Sequence, residues 1–194
     1  LVYSFYPGPW GGQALAEVLL GEVNPSGRLP ASLPRSVGQL PCYYNSKSSY
    51  AALRYCDQEP SALFPFGYGL SYTSVQAGQV QFPQAISRKA LQAGERAQLR
   101  FALGNTGDRP GWAVPQLYVH DVAASTVRRV KELKDFQKVC LQPGEEREVT
   151  LSLGWEDLAL WNAAMERTVE PGEFTLFLEE GGQELARGTL TVLP

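Results

Sequence analysis

From about residue 76 to the end of the chain, hydrophobic and polar residues alternate with a period of two. This is the period of a β-strand that has one buried and one solvent-facing side. Turn-forming sequences separate the alternating runs, and seven strands are predicted: residues 75–82, 97–103, 113–121, 129–141, 147–153, 173–179 and 184–193. Seven short strands with turns at nearly regular spacing predict an antiparallel β-sandwich.

The alternation also predicts which side chains are buried. Leu99, Phe101 and Leu103 share one face of their strand, and we expect that face to point into the core. In the next strand, Leu117 and Val119 should be buried, whereas Gln116, Tyr118 and His120 alternate with them and should face water. Residues 157–162 fit either an edge strand or a helical turn.

The first 34 residues follow a different pattern. Residues 1–6 are apolar and predict a strand, residues 13–20 predict a helix that ends at Gly21, and residues 28–33 predict a second strand. A strand, a helix and a strand cannot cover each other's apolar faces, and a parallel sheet needs cover on both sides. We therefore expect the chain to be part of a longer protein that supplies the rest of this α/β sheet.

Residues 35–75 are irregular and rich in proline, serine and tyrosine. Their many aromatic residues predict a segment packed against the protein, because disordered linkers are poor in aromatics. Three regions are thus expected: the end of an α/β domain in residues 1–34, a linking loop in residues 35–75 and a β-sandwich in residues 76–194.

Charge and composition exclude several classes of function. The net charge is −3 and the pI is about 5.3, which does not favour binding to nucleic acid or to an anionic membrane. No apolar run approaches the ~20 residues of a membrane span. The densest basic cluster is predicted to be a solvated strand edge rather than an anion site, and it comprises Arg128, Arg129, Lys131 and Lys134.

The three cysteines indicate neither a disulfide framework nor a zinc site, because their number is odd and no C-x-x-C motif occurs. Cys42 and Cys56 flank a loop and could pair, although free thiols are the favoured state. We expect no metal and no cofactor. The sequence assigns no compartment.

Two stretches resemble glycoside hydrolase family 3. Residues 21–30 (GEVNPSGRLP) are similar to the run that closes the α/β sandwich domain of that family, and residues 63–73 (LFPFGYGLSYT) are similar to one of its most specific strings. Residues 116–119 and 130–136 resemble motifs of the fibronectin type III-like domain that ends many members. The resemblance covers essentially the whole chain.

This resemblance implies a mainly β chain: a fibronectin-III/immunoglobulin-like β-sandwich preceded by the last strand-helix-strand of an α/β sandwich domain. It also implies a retaining, exo-acting β-glycosidase that hydrolyses terminal β-linked glucose or xylose with two carboxyl groups. In the family, the nucleophilic Asp lies on an upstream TIM barrel in a Ser-Asp-Trp-like motif, and the acid/base Glu lies upstream in the α/β domain. Neither is present here, so no residue of this chain is predicted to be catalytic.

The expected partners are therefore the TIM barrel and α/β domain of the same polypeptide, together with an oligosaccharide or glycoside substrate. The best candidates for a substrate contact are Tyr43, Tyr44, Asn45 and Lys47, with Arg54 further along the loop. They resemble the Y-Y-N-x-K-x-S loop of xylosidase-like members, and tyrosine rings stack on sugars. This loop either borders the outer subsites or only straps the sandwich to the α/β domain.

The remaining acidic pairs are not expected to catalyse hydrolysis, because neighbouring residues of a strand point to opposite faces and carboxylates in turns are solvated. These pairs are Glu145 with Glu146, Glu156 with Asp157, and Glu179 with Glu180. His120 is expected to be structural. As an alternative function, the chain could be a free-standing fibronectin-like module that binds carbohydrate or protein, with Trp112, Trp155 or Trp161 exposed for that purpose.

Overall fold

The computed structural model describes residues 1–47, 57 and 59–194. Helix α1 spans Gly11–Leu20, and Gly21 ends it with a left-handed backbone (φ 78°), as the sequence predicts. The strand predicted for residues 1–6 is wrong: these residues are irregular and exposed. A strand needs a neighbour to satisfy its N–H and C=O groups, and within the described residues none pairs with this segment.

The strand predicted for residues 28–33 is reduced to a single bridge between Leu33 and Phe64. Backbone hydrogen bonds nevertheless join this segment to residues 63–68. Leu29 donates its N–H to the carbonyl of Tyr68 at 2.9 Å and accepts from the N–H of Gly67 at 2.8 Å. The two sequence motifs are therefore paired with each other in the structure.

The strands of the sandwich follow from residue 75 onward. The first group is β1 (Val75–Ala77), β2 (Ala85–Ser87), β3 (Ala97–Asn105), β4 (Gly111–Ala113), β5 (Gln116–Asp121) and β6 (Glu132–Phe136). The second is β7 (Val139–Leu141), β8 (Glu146–Leu153), β9 (Leu160–Trp161), β10 (Arg167–Thr168), β11 (Gly172–Glu180) and β12 (Gln183–Leu193). Helix α2 spans Arg88–Gln92, helix α3 spans Trp155–Leu158, and a 3₁₀ turn covers Val37–Gln39.

One sheet has the strand order β2-β12-β11-β5-β6, and a second has the order β1-β3-β8. All pairs in these two sheets are antiparallel except β2 with β12. Apolar side chains from both sheets form one core between them, which includes Leu99, Phe101, Leu117, Leu151 and Phe174. The predicted burial of the alternating face of β3 is confirmed.

Two predicted strands are shorter or divided. Residues 113–121 break at Pro115, which has no N–H to donate to a ladder. Residues 129–141 divide into β6, which pairs with β5, and β7, which pairs with β4 in a separate two-stranded sheet. The N–H of Gln137 donates to the carbonyl of Pro115 at this point. Residues 157–162 contain both a helical turn and a short strand.

The prediction that one face of β5 is wet is also wrong. Gln116 and Tyr118 are as buried as Leu117 and Val119, although they lie on the opposite face. Only His120 is half-buried, and its Nδ1 lies 2.9 Å from the carbonyl oxygen of Arg129. The burial arises because another part of the chain covers this face of the sheet.

Candidate functional site

The linking segment, defined as residues 63–69, covers the outer face of β5. Gly67 has a positive φ of 80°, and a Cβ at this position would lie 2.4 Å from Gln116 Oε1 and 2.9 Å from Tyr118 Oη. Tyr118 donates its hydroxyl hydrogen to that Gln116 oxygen at 3.0 Å. Only glycine fits here, because a side chain would overlap a buried hydrogen bond. The glycine of the PFGYG motif thus allows close contact between the loop and the sandwich.

A buried ion pair joins the 21–30 motif to the same sheet. The Arg28 guanidinium donates to Glu180, and the two side chains are only 7% and 6% exposed. The other oxygen of Glu180 accepts the backbone N–H of Val114 at 2.9 Å. Because both charges are removed from water, losing either one would leave the other without compensation.

The Asn24 amide provides a second connection. Its Nδ2 donates to the carbonyl of Pro110 at 3.0 Å, and its Oδ1 accepts from the Ser71 hydroxyl and the Tyr72 N–H, each at 2.9 Å. The Tyr72 hydroxyl in turn donates to the carbonyl of Val18 in α1 at 2.7 Å. Through these contacts the two sequence motifs hold residues 18–30, residues 63–73 and the sandwich together.

A lysine lies beside this junction. Lys131 Nζ is 2.5 Å from Glu179 Oε1 and 4.6 Å from the centre of the Tyr118 ring. Burial first, then the charge of Glu179 and the nearby Tyr44, raise the pKa of Tyr118 well above its usual value. The phenol therefore stays protonated and keeps its hydrogen bond to Gln116.

Glu179 and Glu180 correct one expectation from the sequence. They are not solvated but buried, and each is paired with a different cation, Lys131 and Arg28. The basic cluster does lie beside the edge strand β6, but two of its members have acidic partners. Lys131 is paired with Glu179, and Arg128 lies 3.4 Å from Asp121 Oδ2. These charges stabilise local structure and are not free to act as an acid and a base.

A cleft of about 380 Å³ opens next to Lys131. Its described walls come from the loop, the linking segment and one residue of the sandwich, and include Tyr43, Tyr44, Phe66, Cys42 and Lys131. The Tyr44 and Phe66 rings stack at 4.1 Å between centroids with an interplanar angle of 15°. Clefts of this size that are mostly apolar and have few polar groups are typical ligand sites.

The structure separates the predicted substrate-border residues. Tyr43 and Tyr44 line the cleft, whereas Asn45 and Lys47 are not among its lining residues. Lys47 instead forms a β-bridge with Arg129. Arg54 lies outside the described residues.

Gln39 lines the cleft but already uses its amide within the protein. Its Oε1 accepts the N–H of Arg35 at 2.7 Å, and its Nε2 donates to the carbonyls of Pro60 at 2.8 Å and Ser61 at 3.0 Å. Gln39 is only 3% exposed, and its hydrogen bonds join Arg35 to Pro60 and Ser61 of the cleft wall. It therefore supports the shape of the cleft and has no donor left for a ligand.

The other chemically capable groups lie apart from the cleft or have structural partners. Glu145 accepts from the N–H of Gln142 and from Arg147, which lowers the pKa of its carboxyl. Glu156 pairs with Arg167. Among the described residues, no three His, Cys, Asp or Glu side chains gather in a way that could hold a metal ion.

The cysteines and tryptophans have distinct environments. Cys42 is free and partly buried, which raises the pKa of its thiol, and Cys140 is also free. Cys56, with which Cys42 could pair as the less favoured alternative, lies outside the described residues. Trp112 and Trp161 are exposed, whereas Trp155 packs against the core. The Lys138 ammonium lies 5.0 Å from the Trp112 ring centre.

Across the described residues, no helix is long and apolar enough to cross a membrane.

Sequence reasoning missed Arg28, Lys131, Glu179 and Glu180 as structural partners. The available signal was weak: two consecutive acids end an alternating apolar strand, and one arginine lies inside a motif of turn residues. Their pairing depends on contacts across 152 and 48 positions of the chain, which no local pattern reports.

Comparison with known proteins divides the chain into two parts, as the fold does. The model of the glycosyl hydrolase family 3 C-terminal domain matches residues 1–72, and the model of the fibronectin type III-like domain matches residues 113–181. The chain is 38% identical to a periplasmic β-glucosidase of Salmonella typhimurium over its whole length, and 36% identical to a β-xylosidase of Formosa agariphila over 91%.

A solved β-glucosidase structure from Erythrobacter marinus matches 97% of the chain with a TM-score of 0.89 and 43% sequence identity. The chain covers 24% of that protein and 26% of the Salmonella relative. It thus spans about a quarter of the length of the proteins it matches.

Proposed function

The chain belongs to glycosyl hydrolase family 3, and we propose that it is the non-catalytic C-terminal part of a retaining β-glycosidase. The parent enzyme removes terminal β-linked glucose or xylose, in keeping with the β-glucosidases and β-xylosidase that the chain resembles. The role of this part is to support the catalytic domains and to fix a loop beside the substrate. The expected domains are residues 1–34, 35–75 and 76–194.

The observation that carries this proposal is the interlock between the two motifs and the sandwich. Gly67 lies against the Gln116–Tyr118 hydrogen bond, and the Arg28–Glu180 ion pair is buried. A packed junction with a buried ion pair holds a loop in one position, which catalysis requires to within fractions of an ångström. The sandwich is therefore suited to be a rigid support.

The described carboxylates support a non-catalytic role. A retaining glycosidase needs two carboxyl groups ~5–5.5 Å apart, with free access to a sugar. Here Glu179 and Glu180 are paired with cations and buried, and Glu145 is occupied by Gln142 and Arg147. The nucleophile and the acid come from upstream domains of the same polypeptide.

The first part of the chain supplies the surface for those domains. Trp10, Leu19 and Leu20 are 75%, 68% and 75% exposed, and Tyr3 and Phe5 are more than half exposed. Apolar groups in such numbers mark an interaction surface. Its occupant is the upstream α/β domain, which the helix α1 would complete.

The loop carrying Tyr43 and Tyr44 borders the outer subsites, where the aglycone or the next sugar lies. Two features support this: tyrosine rings provide flat apolar faces for sugars, and both residues line the cleft beside the junction. Asn45, Lys47 and Arg54 are the further candidates on this loop.

Activity assays of the chain and of the longer polypeptide test the proposal. The chain alone should not hydrolyse nitrophenyl β-glucoside or β-xyloside, whereas the longer polypeptide should hydrolyse at least one of them. Turnover by the chain alone would contradict the non-catalytic role. A folded longer polypeptide that cleaves no β-glycoside would contradict the parent activity.

A further inference from the structure

We infer that Lys131 determines specificity at the cleft by hydrogen-bonding a neutral, hydroxyl-bearing leaving group of the substrate. This inference rests on the proposed function and extends it, since it gives the sandwich itself a contact with substrate. It follows from the position of one side chain, the state of its charge and the fact that the other donors among the described lining residues are uncharged.

Lys131 is the one charged side chain among the described residues that line the cleft. It lies just before β6, at the edge of the sandwich, whereas the other described lining residues belong to positions 32–66. The sandwich therefore reaches the cleft through this lysine. A substitution there removes the one charged group from the described lining of the cleft.

The structure fixes the ammonium in place. Its nitrogen contacts Glu179 Oε1 at 2.5 Å and lies 4.6 Å from the Tyr118 ring centre. The Lys131 side chain is 31% exposed, while that of Glu179 is 7% exposed. A lysine has three N–H donors, and one carboxylate oxygen uses one of them. The accessible end of this ion pair is therefore the donor end.

The same pairing sets the chemical class of the ligand. Glu179 compensates the positive charge, so the pair presents hydrogen-bond donors without a net charge to attract an anion. Sugar hydroxyl groups accept hydrogen bonds and need no counter-charge. The stacked rings of Tyr44 and Phe66 add an apolar wall. A neutral sugar at the leaving-group position fits these features, whereas a carboxylate-bearing aglycone gains nothing from them.

The amide of Gln39 cannot provide this recognition, because its hydrogen bonds to Arg35, Pro60 and Ser61 are already made. Its side chain forms part of the wall. Among the described lining residues Lys131 is the one charged donor, whereas the serine and tyrosine hydroxyls there are neutral.

The test uses steady-state kinetics of the longer polypeptide on a β-linked disaccharide, a methyl glycoside and a carboxyphenyl glycoside. Lys131→Met keeps the apolar stem and removes the donors. It should lower kcat/KM for the disaccharide about tenfold, chiefly through KM, because a hydrogen bond to a charged group is lost. The values for the other two substrates should stay within about twofold. Lys131→Arg should restore much of the loss.

Lys134→Met is the matched control. This lysine also lies near an acid, with Nζ 3.8 Å from Glu132 Oε2, but it does not line the cleft. It should leave the disaccharide preference unchanged. An equal loss on all three substrates would show a structural role for Lys131, and a loss confined to the carboxyphenyl glycoside would show anion recognition; either result overturns the inference.

Calorimetric titration of the disaccharide separates this inference from the proposed function. If the longer polypeptide binds the disaccharide and Lys131→Met weakens that binding while no glycoside is cleaved, the proposed function fails and the contact stands. If the wild-type protein cleaves glycosides and Lys131→Met changes neither binding nor kinetics, the contact is wrong and the proposed function stands.

Discussion

The sandwich and the first 23 residues differ in how far their apolar side chains are buried. In the sandwich, Leu99, Leu117 and Leu176 are fully buried between two sheets of the same chain. In the first 23 residues, Trp10 and Leu20 are each 75% exposed. Burial of apolar surface is the main favourable term in folding. The sandwich therefore supplies its own stability, whereas the first region needs a partner to cover it.

The junction between the two regions is formed by residues 24–33 and 63–73. There the chain of the first region is fixed to the sandwich by Asn24, by the Arg28–Glu180 pair and by the contact of Gly67 with β5. The exposed region is thus anchored at one end. This arrangement suits a support that presents a surface to a neighbouring domain.

The largest effect should come from matched phenylalanine replacements in the two regions. Phe174 is 2% exposed in the core, so Phe174→Ala should lower the free energy of unfolding of the chain by about 3–5 kcal/mol. Phe5 is 54% exposed, so Phe5→Ala should change it by less than about 0.5 kcal/mol. Urea denaturation measures both values. Equal losses would contradict the contrast between the regions.

Breaking the anchor between the regions should have the next largest effect. Arg28→Met leaves the Glu180 carboxylate buried without its cation, and we expect a loss of about 3 kcal/mol. The estimate is at the low end of the range because the Val114 N–H still bonds to Glu180.

Arg187→Met is the control for that change, because Arg187 pairs with Glu184 in solvent. It should not measurably alter the denaturation midpoint. Similar midpoints for the two variants would mean that the buried pair does not hold the junction.

A smaller effect should follow from filling the contact at Gly67. Gly67→Ala forces a Cβ into the Gln116–Tyr118 hydrogen bond at a positive φ, at a cost of about 2 kcal/mol. Gly94 also has a positive φ, of 92°, but a Cβ there meets nothing within 4 Å. Gly94→Ala should therefore cost only about 1 kcal/mol. Thermal unfolding measures both losses, and equal losses would contradict the packing of the linking segment on β5.

The two regions were also unequally predictable from the sequence. The strands β3, β8, β11 and β12 follow directly from alternation, because both sheets bury one face within the chain. The strand predicted for residues 1–6 does not form, because no strand among the described residues pairs with it. Periodicity reports a face that ought to be buried, but it does not say which segment buries it.

The same limit of periodicity explains which parts of the candidate site could be predicted from the sequence. The loop tyrosines could be proposed from their residue types, and Tyr43 and Tyr44 do line the cleft. Lys131 looked like one member of a basic strand edge, and Tyr118 looked like a solvent-facing position. The Tyr118 assignment failed because residues 63–69 cover the second face of β5, and nothing local in the sequence of β5 indicates that cover. Lys131 does lie beside the edge strand β6, but its pairing with Glu179 depends on a contact across 48 positions of the chain.

Hydrogen exchange of the chain alone and of the longer polypeptide tests the central claim most directly. In the chain alone, amides of β11 should be strongly protected, and amides of α1 should exchange rapidly because its exposed face has no cover. In the longer polypeptide, α1 should become protected while β11 stays unchanged. Protection of α1 equal to that of β11 in the chain alone would contradict the account.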